Sequence, residues 1–232
     1  LLEEAGALVS KHIPRPTAEE TLASLRRGLR EAARLGVVRA HGMGGEFEAL
    51  ELLDRLLQEG GLTTRLSVSM WVDPPGPTDE DWKAYERARV RYNDEWLSLG
   101  GVKLMLDGVI DSGTGAMLDP YENQHGNRWK LFWEPEAFKR AVAAFNAKGL
   151  QVSTHAIGDA AIRLALDAYE EAARTAGERD LRNKIEHAED IAAEDIPRFG
   201  RLGVIASFQP LHANPDPAWM RTWIENVGPE RE

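Results

Sequence analysis

Six short segments rich in β-branched and other apolar residues recur along the chain, separated by longer stretches with a helical spacing of apolar residues. Strands that are buried on both faces have this composition, so the alternation predicts a parallel sheet covered by helices. Six such units are compatible with an open doubly wound sheet or with most of an eight-stranded barrel. The predicted strands are Gly36–Ala40, Arg65–Val72, Val102–Asp107, Leu150–His155, Lys184–His187 and Val204–Gln209.

Local signals mark the ends of the predicted helices. Thr17, followed three residues later by Glu20, forms a capping-box motif, and Pro135 suits a first helical turn, where the missing N–H has no partner to lose. Gly36 and Gly60 stand where helices should end, because glycine readily adopts the left-handed conformation. Since no linker interrupts the pattern, we expect residues 1–232 to form a single α/β domain.

Charge and cysteine content limit the partners of the chain. With 38 acidic and 28 basic residues the formal net charge is -10, so neither nucleic acid nor an anionic membrane surface is an expected partner. Because the chain has no cysteine, a bound metal would be held by nitrogen and oxygen atoms. The start of the chain lacks a targeting leader and no apolar run approaches ~20 residues, so we expect a cytoplasmic protein, which could form a homo-oligomer.

Three residues that can bind metal or transfer protons lie on, or at the ends of, three successive predicted strands: Lys103, His155 and His187. In a barrel the carboxyl ends of the strands meet at one mouth, so these side chains should converge. Either histidine could be a metal ligand, a general base or a hydrogen-bonded structural residue. Lys103 could pair with Asp107, reach the rim of the barrel, or lose its charge through metal chemistry.

Weaker signals surround these three residues. Gln209 and His212 follow the last predicted strand and could reach the same rim, or could form an ordinary turn. Strand alternation predicts that Glu186 points away from His187, toward the helices, where it could form a salt bridge with Lys184. The sequence contains no nucleophile elbow, Walker loop or zinc-protease helix motif, so those classes of enzyme lack support.

Four segments, in this order, resemble strand motifs of the YtcJ-like amidohydrolases. They are similar to the fourth, fifth, sixth and seventh strand motifs of that family, and the resemblance extends over nearly the whole chain. The segments are Gly101–Leu104 with Asp107–Gly108 and Thr114–Tyr121, then His155–Ala161, then Ile185–Ala188 with Asp195–Phe199, and finally Ala206–Ala213.

The resemblance implies a TIM-type (β/α)8 barrel that carries a metal-hydrolase site. Lys103 would be carboxylated and would bridge divalent metals, with zinc as the first choice and one or two ions bound. His155 and His187 would hold one of these ions. A metal-bound hydroxide would then hydrolyse a C–N bond of a small amide or formamide-type substrate.

Two features of that family are absent from the sequence: the His-x-His pair of the first strand and the catalytic aspartate of the eighth. We therefore expect the chain to be a central stretch of a longer barrel, with about strands two to seven. Substrate contacts are predicted for Asp107, Gln209 and His212. The alternative is a catalytically inactive, truncated barrel that acts as a binding or scaffolding module.

Overall fold

The computed structural model describes residues 6–176, 180–213 and 217–228. Contacts within the chain separate two compact units. The first unit contains the described residues up to 71 together with 78–101, and the second contains 72–77 and the described residues from 102 onward. The single domain expected from the sequence stays a prediction.

The first unit alternates helices and strands, as the apolar pattern predicts. Its elements are α1 (Ala7–Ser10), α2 (Ala18–Arg34), β1 (Arg39–Gly45), α3 (Phe47–Gln58), β2 (Arg65–Trp71), α4 (Asp79–Arg91) and the first half of β3 (Leu97–Met105). β1 and β2 pair in parallel, from Arg39 opposite Arg65 to Gly45 opposite Met70, with a register shift after Met43.

Caps fix the ends of the helices in this unit. The Thr17 hydroxyl accepts the Glu20 N–H, and the Glu20 carboxylate accepts the Thr17 N–H at 2.8 Å, so the predicted capping box is confirmed. Gly36 and Gly60, just beyond α2 and α3, have φ angles of 76° and 71°. These left-handed conformations end the two helices where the sequence predicted.

The second unit continues the alternation. Its elements are the second half of β3, α5 (Pro135–Ala147), β4 (Val152–Ala156), α6 (Asp159–Ala176), β5 (Lys184–His187), α7 (Ile196–Leu202), β6 (Ile205–Ser207), a 3₁₀ turn (Pro210–Ala213) and α8 (Pro217–Val227). The strands pair in parallel, with β4 between β3 and β5, and with β6 beside β5. Pro135 is the first residue of α5, as expected.

The two faces of β4 have different neighbours. The Thr154 hydroxyl lies 2.7 Å from the hydroxyl of Tyr169 in α6, so Thr154 faces this helix. Because side chains alternate along a strand, Ser153 and His155 face the opposite way. That second face includes Glu186, which is directly opposite His155 in the register of β4 and β5.

Strand order supports one of the two predicted architectures. Within each unit, strands that follow one another in the chain are also hydrogen-bonded neighbours. A doubly wound sheet requires a point where this order reverses, and the described strands of neither unit have one, so their order is consistent with part of a TIM-type barrel. None of the described helices is long and apolar enough to cross a lipid bilayer.

Candidate metal centre

The parallel register aligns the predicted site residues of the second unit. Lys103 lies opposite Ser153, and Met105 opposite His155, in the pairing of β3 with β4. His187 is the last residue of β5 and lies opposite Ala156. The structure therefore brings Lys103, His155 and His187 to neighbouring strands, as the sequence predicted.

Lys103 is almost completely buried in an otherwise apolar strand, with 5 % of its surface exposed. Burial lowers the pKa of its ammonium to about 8, since the charged form loses its hydration. The negative charge of Glu186 acts against this shift, whereas the positive charge of Lys184 adds to it. Near pH 7 a larger fraction of Lys103 is therefore in the neutral amine form than for an exposed lysine.

His155 is held by a backbone carbonyl. Its Nε2 lies 2.9 Å from the oxygen of Gly108, and a carbonyl oxygen can only accept, so Nε2 carries the hydrogen. Nδ1 then presents its lone pair. Burial lowers the pKa of this imidazole to about 4, so the ring is neutral at physiological pH. A neutral ring with a fixed tautomer is the form in which histidine binds metal.

His187 turns toward His155 through an unusual backbone conformation. Its φ angle is 76°, and that of Ala188 is 49°, both in the left-handed region. The centroids of the two imidazole rings are 4.6 Å apart, with an interplanar angle of 65°. His187 Nδ1 lies 2.6 Å from the side-chain oxygen of Gln209, which accepts its hydrogen and leaves the Nε2 lone pair available. Burial lowers the pKa of His187 as well.

The orientation predicted for Glu186 is wrong, although the predicted partner is right. The Glu186 carboxylate lies 3.0 Å from the Lys184 ammonium, and both side chains are buried. Glu186 does not point toward the helices, because it is opposite His155 on the face that Thr154 does not occupy. The pKa of Glu186 is lowered by hydrogen bonds with Ser207 and Lys184 and by nearby positive charge, which together outweigh burial.

Asp107 is fully buried and ties together three backbone amides. Its carboxylate accepts hydrogen bonds from the N–H groups of Ala116, Ile157 and Gly158 at 2.9, 3.1 and 2.9 Å. Burial raises the pKa of Asp107 to about 7, although these donors act in the opposite direction. The carboxylate thus anchors the backbone, and its predicted contact with a substrate stays a prediction.

Gln209 and His212 both lie beside His187. His212 Nδ1 is 2.6 Å from Glu189 Oε1, and the His212 ring is parallel to that of His187 within 8°, at 6.0 Å between centroids. Among the described residues, His187, Glu189 and His212 form a group whose possible ligand atoms lie within 4.8 Å of one another. Glu189 was not singled out from the sequence, although its position two residues after His187 is a usable signal.

A sequence model of the amidohydrolase family matches residues 1–231. The chain belongs to this family. Protein LONG AFTER FAR-RED 3 of Arabidopsis thaliana is 42% identical over 118 residues, which are 51% of this chain and 20% of that protein. YtcJ of Bacillus subtilis (strain 168), which is named as an amidohydrolase, is 26% identical over 150 residues, 65% of this chain and 26% of that protein. The matches thus span about a quarter or less of these relatives' lengths.

A solved structure has a similar arrangement of strands and helices. It is an uncharacterized metal-dependent hydrolase from Pyrococcus horikoshii OT3, with a TM-score of 0.78 and 28% identity. The similarity covers 93% of this chain and 41% of that protein. The predicted YtcJ-like resemblance is therefore confirmed, and the α/β fold is similar to that of a solved metal-dependent hydrolase.

Proposed function

We propose that this protein is a metal-dependent hydrolase of C–N bonds in small amides or formamide-type compounds, built on a TIM-type (β/α)8 barrel. Membership of the amidohydrolase family supports hydrolysis, and the Pyrococcus relative supports dependence on metal. The observation that carries the proposal is the meeting of two neutral imidazoles, His155 and His187, whose rings lie 4.6 Å apart and whose other nitrogens are already engaged.

The residues present fit a divalent metal. Nδ1 of His155 and Nε2 of His187 are the nitrogens left free by the bonds to Gly108 and Gln209. Lys103 would add an oxygen ligand once carboxylated: its neutral amine would attack carbon dioxide, forming an N–C bond and releasing one proton. Two nitrogens and one oxygen suit zinc, so zinc is the metal that we propose, with one or two ions bound. A bound zinc ion would lower the pKa of water and polarise the amide carbonyl.

The other residues of the site would position ligands and substrate. The Gly108 carbonyl and the Gln209 amide hold the two imidazoles in one tautomer each, which is what outer-shell partners of metal ligands do. We propose that Gln209 and His212 also contact the substrate, because both border a cavity that reaches His187. The predicted cytoplasmic location and homo-oligomer stay predictions.

The test measures metal and lysine modification together. The purified protein is analysed for its metal content, and its intact mass is measured under non-denaturing conditions. We expect bound metal and an added mass equal to one carbon dioxide, both lost in Lys103→Ala. Lys83→Ala is the matched control, because the Lys83 side chain is 65% exposed and outside the site. If neither metal nor added mass is found, and simple amides are not hydrolysed, the inactive scaffolding module replaces this proposal.

A further inference from the structure

A cavity of about 400 Å³ opens beside His187. Its volume is within the range of pockets that bind small molecules. The polar residues of its wall are His187, Glu189, Gln209 and His212, and its large apolar residues are Phe208, Met220 and Trp223. The cavity therefore offers both hydrogen-bonding groups, next to a predicted metal ligand, and apolar surface.

The apolar part of the wall is exposed at Phe208 and packs against buried residues at Trp223. Phe208 lines the cavity and leaves 57% of its surface exposed, so part of its ring is accessible to a ligand. Trp223 packs against a buried cluster that belongs to the same unit, so this part of the wall is fixed. An apolar group that enters the cavity would remove the exposed face of Phe208 from water, and a ring would also gain aromatic contact.

The charges of the wall restrict the ligand further. Among the described residues that line the cavity, none is lysine or arginine, and Glu189 is the one carboxylate. The Glu189 side chain is 15% exposed and is bonded to His212. A substrate with a carboxylate or phosphate in this cavity would meet no lysine or arginine among the described lining residues and would share the cavity with the Glu189 carboxylate.

We propose that the cavity selects amides whose nitrogen carries an uncharged aryl or branched-alkyl group. It disfavours nitrogen substituents that carry a negative charge. This substrate class rests on the proposed function, because the cavity is the subsite next to His187. Phe208 determines the specificity by contacting the substituent, while Gln209 and His212 offer hydrogen bonds to the amide.

The test compares substrates that share one scissile bond. The purified protein is assayed with N-benzylacetamide, N-methylacetamide and N-acetylglycine. We expect kcat/KM to be at least about tenfold higher for the benzyl than for the carboxymethyl compound. Phe208→Ala should lower kcat/KM for N-benzylacetamide about tenfold through KM, and should lower it much less for N-methylacetamide, whose methyl group makes less apolar contact with the wall. Leu211→Ala is the control, because Leu211 is 68% exposed but does not line the cavity.

A binding measurement separates the two proposals. Benzyl alcohol is titrated into the wild type, Phe208→Ala and Leu211→Ala and is followed by NMR, independently of catalysis. Binding that is lost only in Phe208→Ala supports the cavity, and it does so even if no amide is hydrolysed, in which case the proposed function alone fails. Equal binding to all three proteins, no binding to any of them, or a preference for N-acetylglycine overturns the assignment of the cavity.

Discussion

The Asp107 carboxylate accepts the amide hydrogen of Gly158 at 2.9 Å, which joins the end of β3 to the turn after β4. The same carboxylate accepts the Ala116 N–H, so the loop that follows β3 is also held at Ala116. Between these points lies Gly108, whose carbonyl accepts a hydrogen from His155. One buried side chain thus holds the backbone that determines the tautomer of a predicted metal ligand.

Replacing Asp107 by Asn should destabilise the protein by about 2–4 kcal/mol, because one acceptor oxygen becomes an NH₂ group that faces buried amide donors. The free energy of unfolding is measured by urea denaturation. Asp94→Asn is the control, since the single Asp94 oxygen that accepts the amides of Trp96 and Leu97 can be retained in Asn. Equal losses for the two variants would contradict the role assigned to Asp107.

The sequence predicted which strands carry the site, but it did not predict all the strand boundaries. Lys184–His187 was predicted as observed, whereas β3 begins at Leu97 rather than Val102. Glycines near its start resemble a turn in sequence. In the structure Gly100 lies so close to β2 that a Cβ there would be 2.1 Å from the Ser67 hydroxyl. A close approach between strands requires glycine, and it cannot be recognised from one strand alone.

The contacts within the site were only partly predictable. Strand alternation identifies the face of Lys103 and His155. Counted from His187, it gave the wrong face for Glu186, because β5 is short and His187 and Ala188 have left-handed backbone conformations. His187 reaches His155 through this local turn, not through the regular alternation of the strand. The bond from His187 to Gln209 joins residues 22 positions apart, so it depends on the pairing of β5 with β6.

Replacing Gly158 by Ala should disrupt the contact between the turn after β4 and the loop after β3, which Asp107 also holds together. A Cβ at this position would lie 2.2 Å from the backbone oxygen of Ala116, so the backbone must move. We expect a loss of about 1–3 kcal/mol or more in the free energy of unfolding. Gly200→Ala in α7 is the matched control, because a Cβ there meets no atom within 4 Å. Similar destabilisation by both changes would show that the contact with Ala116 is unimportant.

Gln209→Ala should weaken metal binding without unfolding the protein. The change removes the acceptor that holds the Nδ1 hydrogen of His187, and loss of such a partner typically costs about 10–100-fold in metal affinity. Competition with a chelator measures this affinity, and ¹⁵N NMR of the imidazole reports the tautomer. Gln151→Ala, which removes a bond to the Arg182 carbonyl, should change neither quantity. A metal affinity in Gln209→Ala equal to that of the wild type would contradict the expectation.

The capping box of α2 predicts that stability depends on pH. Hydrogen bonds from the backbone and hydroxyl of Thr17 lower the pKa of Glu20 in the folded state. The stabilisation is therefore present above the unfolded-state pKa and is lost as the pH falls through the folded-state pKa. Thr17→Val removes the hydroxyl and keeps the backbone N–H, so it should return the Glu20 pKa part of the way toward its ordinary value, measured by NMR titration of the carboxyl group. Asp81 has the same arrangement with Thr78 and should keep its lowered pKa in that variant.

The buried Lys184–Glu186 pair and the surface Lys139–Glu136 pair have the same separation of 3.0 Å, so a comparison of the two pairs tests the effect of burial. Glu186→Gln removes a carboxylate from beside a buried ammonium and should cost about 3–5 kcal/mol in unfolding free energy. Glu136→Gln should cost less than about 1 kcal/mol, because water solvates the Glu136 side chain, which is 64% exposed.

A double replacement, Lys184→Met with Glu186→Leu, tests whether the cost comes from losing the attraction or from leaving a charge behind. If desolvated charge is the cause, the double variant should be more stable than Glu186→Gln, because neither side chain then carries a charge. Urea denaturation of Lys184→Met, Glu186→Leu and the double variant gives the coupling energy between the two positions. A double variant as unstable as the sum of its single variants would mean that the pair stabilises the sheet by attraction that apolar packing cannot replace.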